Sequence, residues 1–246
     1  MTDIQINITR KTYPARGQAG HHTAIEDLNL SLKSGEFICL VGPSGCGKTT
    51  LLNIIADLDN DYEGDIRVGQ QQAHPKIGYI FQNPRLLPWR TVRENIELVL
   101  SSKQSPTVID SLLEVMQLTP SQHVYPERLS LGMSRRVSII RAFAVDPDVL
   151  LMDEPFVSLD APTARQVREL LLKLWQQRPH TVLFVTHDLR EAIALADRIV
   201  FLSAAPMTVI SEIKVPIPRT ERHNEQAVEV FRQQLINDYP AIKQLL

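Results

Sequence analysis

Ile4, Ile6 and Ile8 alternate with polar residues, a period of two that predicts a strand with one buried face. Further strands are expected at 28–32, 37–41 and 65–68, with a tight turn at Ser34-Gly35. The stretch 13–22, rich in Gly, Gln and His, reads as a hairpin loop, and Gln70-Gln71-Gln72 as a hairpin tip. The runs 37–41, 77–81, 149–153 and 182–186 are nearly continuous in apolar residues, the pattern of parallel strands covered on both faces. After Gln82 the period changes. Pro84 and Pro88 interrupt the chain, and from 91 to 131 the spacing turns helical, with Val92, Ile96, Val99 and Leu100 on one face and Ile109, Leu112, Leu113 and Met116 on another. A helix over 161–176 joins strand 149–153 to strand 182–186 by a right-handed crossover. Strands at 199–202 and 208–215 precede Pro216 and Pro218, and a helix over 226–237 follows. The class is α/β: a parallel-sheet core (about 1–83 and 147–246) with an N-terminal antiparallel β-subdomain and an inserted helical subdomain (about 84–146), all within one domain spanning 1–246.

A chain of 246 residues, 43% hydrophobic, suits one large domain with a subdomain and excludes a long tandem array. The net charge of -2 supplies no basic field, so no nucleic-acid partner is expected. Cys39 falls in a strand and Cys46 in a loop that needs free backbone geometry, so both are read as reduced thiols, in keeping with the cytosol. The N-terminus lacks the apolar core of a secretory signal, and no apolar run approaches the ~18 residues that span a bilayer. Any membrane role is then exercised through another polypeptide.

The candidate chemistry begins at Gly42-Pro43-Ser44-Gly45-Cys46-Gly47-Lys48-Thr49, set between the strand 37–41 and the apolar stretch Thr50-Leu51-Leu52-Asn53-Ile54-Ile55. Gly42, Gly45 and Gly47 let the backbone turn with its N–H groups inward, the following helix adds its positive end, and Lys48 supplies a mobile full charge. Such a nest binds a triphosphate. At the end of strand 149–153, Asp153 and Glu154 place carboxylates on opposite faces: Asp153 to hold Mg2+ through water, Glu154 as the general base that polarises the attacking water. Thr49 gives the metal a hydroxyl ligand.

Taken together with Gln82, Leu129-Ser130-Leu131-Gly132-Met133, Ser158-Leu159-Asp160 and His187, this order of motifs resembles the nucleotide-binding subunits of ABC transporters over essentially the whole chain. The resemblance implies a P-loop ATPase core that binds ATP with Mg2+. It implies that Tyr13 stacks on adenine, that Gly42, Pro43, Ser44, Gly45, Cys46, Gly47, Lys48, Thr49 and Thr50 hold the phosphates, and that Gln82 joins the metal site. It implies that His187 hydrogen-bonds the γ-phosphate and attacking water. Ser130 and Gly132 open a helix whose N-terminus faces the nucleotide held by a second subunit, and Ser158 and Asp160 lie across that interface, so two copies pair head to tail. One departure stands out, Leu131 where the family has glycine. A side chain there crowds the phosphate, or is strained if φ is positive, which points to slow or conditional hydrolysis; the retained Ser130, Gly132 and Glu154 argue for an active enzyme.

The segment 81–92, with Asn95 following, and Met133 resemble the version found in importers of nitrate, sulfonate, taurine and related solutes. On that resemblance Leu86, Leu87 and Trp89 line a groove for a short helix of the permease; the alternative is that they are ordinary core anchors. Arg135 and Arg136 read as a solvated helix face without a specific role. The implied partners are a second ATPase subunit, a transmembrane permease and an extracytoplasmic solute-binding protein, with the chain peripheral at the cytoplasmic face of the inner or plasma membrane. Three alternatives remain open at this level: a lipid transporter, whose ATPases carry a similar signature ending in methionine and two arginines; a soluble ABC ATPase acting on DNA or ribosomes; and a switch with weak hydrolysis. The second usually fuses two ATPase units or inserts coiled coils or zinc-binding cysteines, which this sequence does not contain.

Overall fold

The computed structural model describes residues 3–14, 21–69, 71–72, 75–100 and 107–239. Its strands are β1 (Ile4–Tyr13), β2 (His22–Leu32), β3 (Phe37–Val41), β4 (Glu63–Val68), β5 (Gln71–Gln72), β6 (Ile77–Ile80), β7 (Val149–Asp153), β8 (Thr181–Thr186), β9 (Arg198–Leu202) and β10 (Val209–Lys214). The helices are α1 (Lys48–Ile55), α2 (Val92–Glu97), α3 (Thr107–Val115), α4 (Leu131–Ala144), α5 (Ala161–Gln177), α6 (Leu189–Leu195) and α7 (Glu225–Asp238). They fall into two compact units, one made by the chain up to Pro75 and from Thr181 onward, the other by Lys76–His180. The expected loop at 13–22 and the tip at Gln70 lie partly outside the described residues, as does the end of the chain from residue 240.

In the first unit, β1 pairs antiparallel with β2 on one side and β4 on the other. Ile4, Ile6 and Ile8 face Leu32, Leu30 and Leu28 across the ladder, and all six are buried. The alternation read from the sequence is thus the inner face of this sheet. It does not persist along β1. A bulge between Ile8 and Arg10 slips the phase by one residue, so that Lys11 rather than Arg10 is the next buried side chain. Gly64 pairs with Ile8 at this bulge with φ 144°, and a Cβ on it would lie 2.2 Å from the Asn7 carbonyl oxygen. Gly64→Ala is therefore expected to lower folding stability by about 2 kcal/mol or more, read as a drop in the urea midpoint at unchanged slope. A variant as stable as the parent would mean that the strands can separate at no cost.

β3 is buried at all five positions and runs parallel between β8 and β9, with β10 antiparallel at the far side of β9. α6 packs on β3, and α7 packs on α6. The second unit holds the parallel pair β6 and β7 and the helices α2 to α5. α4 crosses β6 so closely at Gly78 that a Cβ there would stand 2.5 Å from the Ala142 carbonyl oxygen. The helical stretch expected between 91 and 131 is broken more often than the spacing suggested. α2 ends at Glu97, leaving Val99 and Leu100 half-buried beyond it, and Pro120 and Pro126 sit in single 3-10 turns at Thr119–Ser121 and Pro126–Arg128. Each proline stands in the first step of its turn, where its fixed φ suits the start of a turn and its missing N–H costs no hydrogen bond. The α/β class, parallel core strands, antiparallel N-terminal sheet and helical insertion are all as expected from the sequence. Among the described residues, no helix is long and apolar enough to cross a membrane.

Candidate nucleotide site

β3 delivers the chain into the loop at Gly42, where a Cβ would meet the Leu202 Cβ and carbonyl oxygen at 3.1 Å. Gly45 and Gly47 take φ of 77° and 116°, and a Cβ on Gly47 would lie 3.1 Å from the Ala24 carbonyl oxygen. The backbone therefore turns in a way only glycine permits. Gly47 is also the N-cap of α1, bringing no capping side chain, and the first turn carries no acidic residue, so the positive end of the helix dipole is not offset there. This chemistry fits an anion. Lys48, expected as a mobile charge, is instead folded into the loop: it is 6% exposed, and its Nζ donates to the carbonyl oxygens of Gly42 and Pro43 at 2.8 Å each. The Cys46 thiol lies 3.9 Å from that Nζ and 4.0 Å from the Met207 sulfur. Burial raises its pKa and the Lys48 charge opposes this only in part, so Cys46 stays a thiol. Both cysteines are free, as expected. Ser44 and Thr49 are exposed on the same loop and helix start, and Thr50 is half-buried.

Tyr13 ends β1 on the same unit, 38% exposed. Its hydroxyl lies 3.1 Å from the Thr50 Oγ1, which brings the ring to the helix that follows the phosphate loop. His187 is exposed directly after β8.

In the second unit β7 ends at Asp153, which is 6% exposed. The next residue, Glu154, is held at φ 43°, an unusual backbone for a side chain other than glycine. Gln82 Nε2 donates to the Glu154 Oε2 at 3.4 Å, so two of the expected site residues do meet. Nearby, burial and then the Asp153 charge push the Tyr79 phenol well above its ordinary pKa. Ser130 is the N-cap of α4, its Oγ accepting the Met133 N–H at 3.2 Å. Leu131 is the first helical residue, absent from the positive-φ positions and 43% exposed. The backbone strain anticipated at Leu131 therefore does not arise. Gly132 is fixed by contact, since a Cβ would lie 2.6 Å from the Thr163 Cγ2. Ser158 takes φ 65°, and Asp160 caps α5 by accepting the Thr163 N–H and hydroxyl at 3.0 and 2.7 Å.

Several supporting residues were not legible in the sequence. Arg135 is not on a solvated face: it is 3% exposed and donates to the carbonyl oxygens of Phe81 and Val157. Arg136 likewise reaches the Met116 carbonyl oxygen at 2.9 Å. Arg141 donates to the carbonyl oxygens of Pro84 and Arg85, and the buried Asn95 amide accepts from the Leu87 N–H while donating to the carbonyls of Leu87, Arg90 and Thr91. This brace leaves Trp89 69% exposed, so it is no core anchor. Helical periodicity could not single these out, because a polar residue that caps loop carbonyls looks like any solvated one.

Residues 25–157 match the ABC transporter family. Over 243 residues the chain is 44% identical to the aliphatic sulfonates import ATP-binding protein SsuB of Bacillus cereus, an alignment covering 96% of this chain and 95% of that protein. The chain belongs to the ABC transporter family. This ABC chain is also 43% identical over 237 residues to the nitrate import ATP-binding protein NrtD of Synechococcus elongatus, covering 92% of the chain and 85% of NrtD. Among solved structures, the dimeric post-hydrolysis state of an ATP-binding cassette bound to ADP and Pi matches 87% of the ABC chain and all of that cassette, with 31% identity and a TM-score of 0.74.

Proposed function

We propose that this chain is the ATP-hydrolysing subunit of a multi-subunit importer, in which two copies close around two Mg-ATP and hydrolysis resets a separate membrane permease. The observation that carries this reading is the phosphate loop, a glycine-shaped turn whose buried lysine opens a helix with no capping side chain, in a chain 44% identical to a sulfonate-import ATP-binding protein. Backbone N–H groups of the loop 42–50, all but the N–H-less Pro43, and the Lys48 ammonium hold the triphosphate, while Tyr13 offers a flat face to adenine. Thr49, Gln82 and Asp153 are the residues that would hold Mg2+, with hard oxygen donors of the kind it prefers. When bound, Mg2+ would supply neutralisation of phosphate charge. Glu154 orients and deprotonates the attacking water, and His187 donates to the γ-phosphate.

The helix start at Ser130 and Gly132 of one copy faces the γ-phosphate bound by the other, and Ser158 and Asp160 couple the two sites. Closure is favoured only while that phosphate bridges the two copies, so cleavage removes the link. The braced segment 84–91 carries the contact with the permease at the cytoplasmic face, where the chain is peripheral, and an extracytoplasmic solute-binding protein delivers a small anion such as a sulfonate or nitrate. The test is to purify the chain with its permease and binding protein and measure ATP hydrolysis against candidate anions. Stimulation by one of them is the expected result. Hydrolysis indifferent to every anion in a complex that holds all three components would count against import.

A further inference from the structure

The bulge in β1 turns a lysine into the protein interior two residues before Tyr13. Lys11 is 2% exposed, a degree of burial that lysine reaches only when paired. Its Nζ donates to the Asp59 Oδ1 and the Asp61 carbonyl oxygen, each at 2.7 Å, and stands 4.7 Å from the centroid of the Tyr13 ring. Tyr13 is held at its other end as well, its hydroxyl 3.1 Å from the Thr50 Oγ1 and 3.4 Å from the Asp59 Oδ2. Asp59 thus ties both the ammonium and the phenol, and Thr50 belongs to the helix that opens at the phosphate loop. Burial alone would lower the Lys11 pKa, but the hydrogen bond and charge of Asp59, with Asp61, more than reverse this, so the group remains a cation.

We infer that Lys11 is a positioning residue for the nucleotide base: it closes one face of the Tyr13 ring and fixes the other as the stacking surface, at a set reach from the phosphate loop. The inference rests on Tyr13 being the adenine platform. Two physical effects follow from the arrangement. A half-exposed tyrosine must lose rotamer freedom when a base stacks on it, whereas here that freedom is already lost before ATP arrives. An ammonium on one face also draws π density towards itself, which lowers the electron repulsion a purine meets on the opposite face.

The experiment compares Mg-ATP with Mg-tripolyphosphate, which has no base, by calorimetry on the full chain, together with KM and kcat for ATP. Lys11→Met is expected to weaken ATP about threefold to tenfold and to raise KM more than it changes kcat, with tripolyphosphate affinity kept. Lys11→Arg, which retains the cation, recovers most of the loss. The double variant Lys11→Met with Tyr13→Ala loses no more than Tyr13→Ala alone, because both act through one ring. If Lys11→Met weakens ATP and tripolyphosphate equally, the lysine only supports the fold and the inference is wrong. If Tyr13→Ala weakens ATP while Lys11→Met and Lys11→Arg both bind it as the parent does, the inference fails and the adenine platform stands. If Tyr13→Ala itself binds ATP normally, the platform fails, and the inference with it. Should Lys11→Met not fold, Asp59→Asn probes the same clamp with the same outcomes.

Discussion

Glu154→Gln is expected to bind ATP, assemble into a dimer that persists, and release phosphate about a hundredfold to ten-thousandfold more slowly than the parent. The substitution is close to isosteric, so the φ of 43° at this position and the approach of Gln82 remain available to the new side chain. What is lost is the acceptor that takes a proton from water. With cleavage blocked, the γ-phosphate continues to bridge the two copies and the closed state accumulates. Light scattering with and without ATP reads the dimer, and a phosphate assay reads the turnover. An identical monomer population in both conditions would show that ATP does not drive pairing.

Lys48→Met produces the second large effect, a loss of about a hundredfold or more in ATP affinity. The ammonium supplies charge-assisted hydrogen bonds to phosphate, each worth roughly 1.5–3 kcal/mol, and no neighbouring residue of the loop carries a positive charge to replace it. A smaller effect arises without nucleotide. The carbonyl oxygens of Gly42 and Pro43 lose their 2.8 Å donor, so the empty variant is also expected to melt earlier than the empty parent. Thermal shift assays with and without Mg-ATP separate the two: the parent is stabilised by nucleotide and the variant is not. A variant that gains as much melting temperature from Mg-ATP as the parent would remove Lys48 from the phosphate site.

The motifs were legible where chemistry demands fixed residue types at fixed spacing. Gly45 and Gly47 occupy positive φ, and Asp153 ends a buried strand, as the sequence implied. The strands of the parallel core were equally plain, because continuous apolar runs have few other uses. What periodicity could not convey was a change of phase. Alternation from Ile4 extrapolates to Arg10 as an inward residue, and only the bulge opposite Gly64 reveals that Lys11 takes that place. Arg135 and Arg141 escaped for another reason: their partners are main-chain carbonyls far away along the chain, which no sequence pattern advertises. Leu131 illustrates the converse. Its departure from the family pattern suggested strain, but as the first residue of a helix capped by Ser130 it adopts an ordinary conformation.

The two tryptophans of the chain give it an internal optical contrast. Trp175 is 7% exposed with its indole N–H bonded to the His180 carbonyl oxygen, whereas Trp89 stands at the surface on a braced loop. Emission from the unlabelled protein is thus the sum of a shielded fluorophore and one open to iodide. Anything that settles over the second will appear as protection from the quencher, and the first serves as the reference.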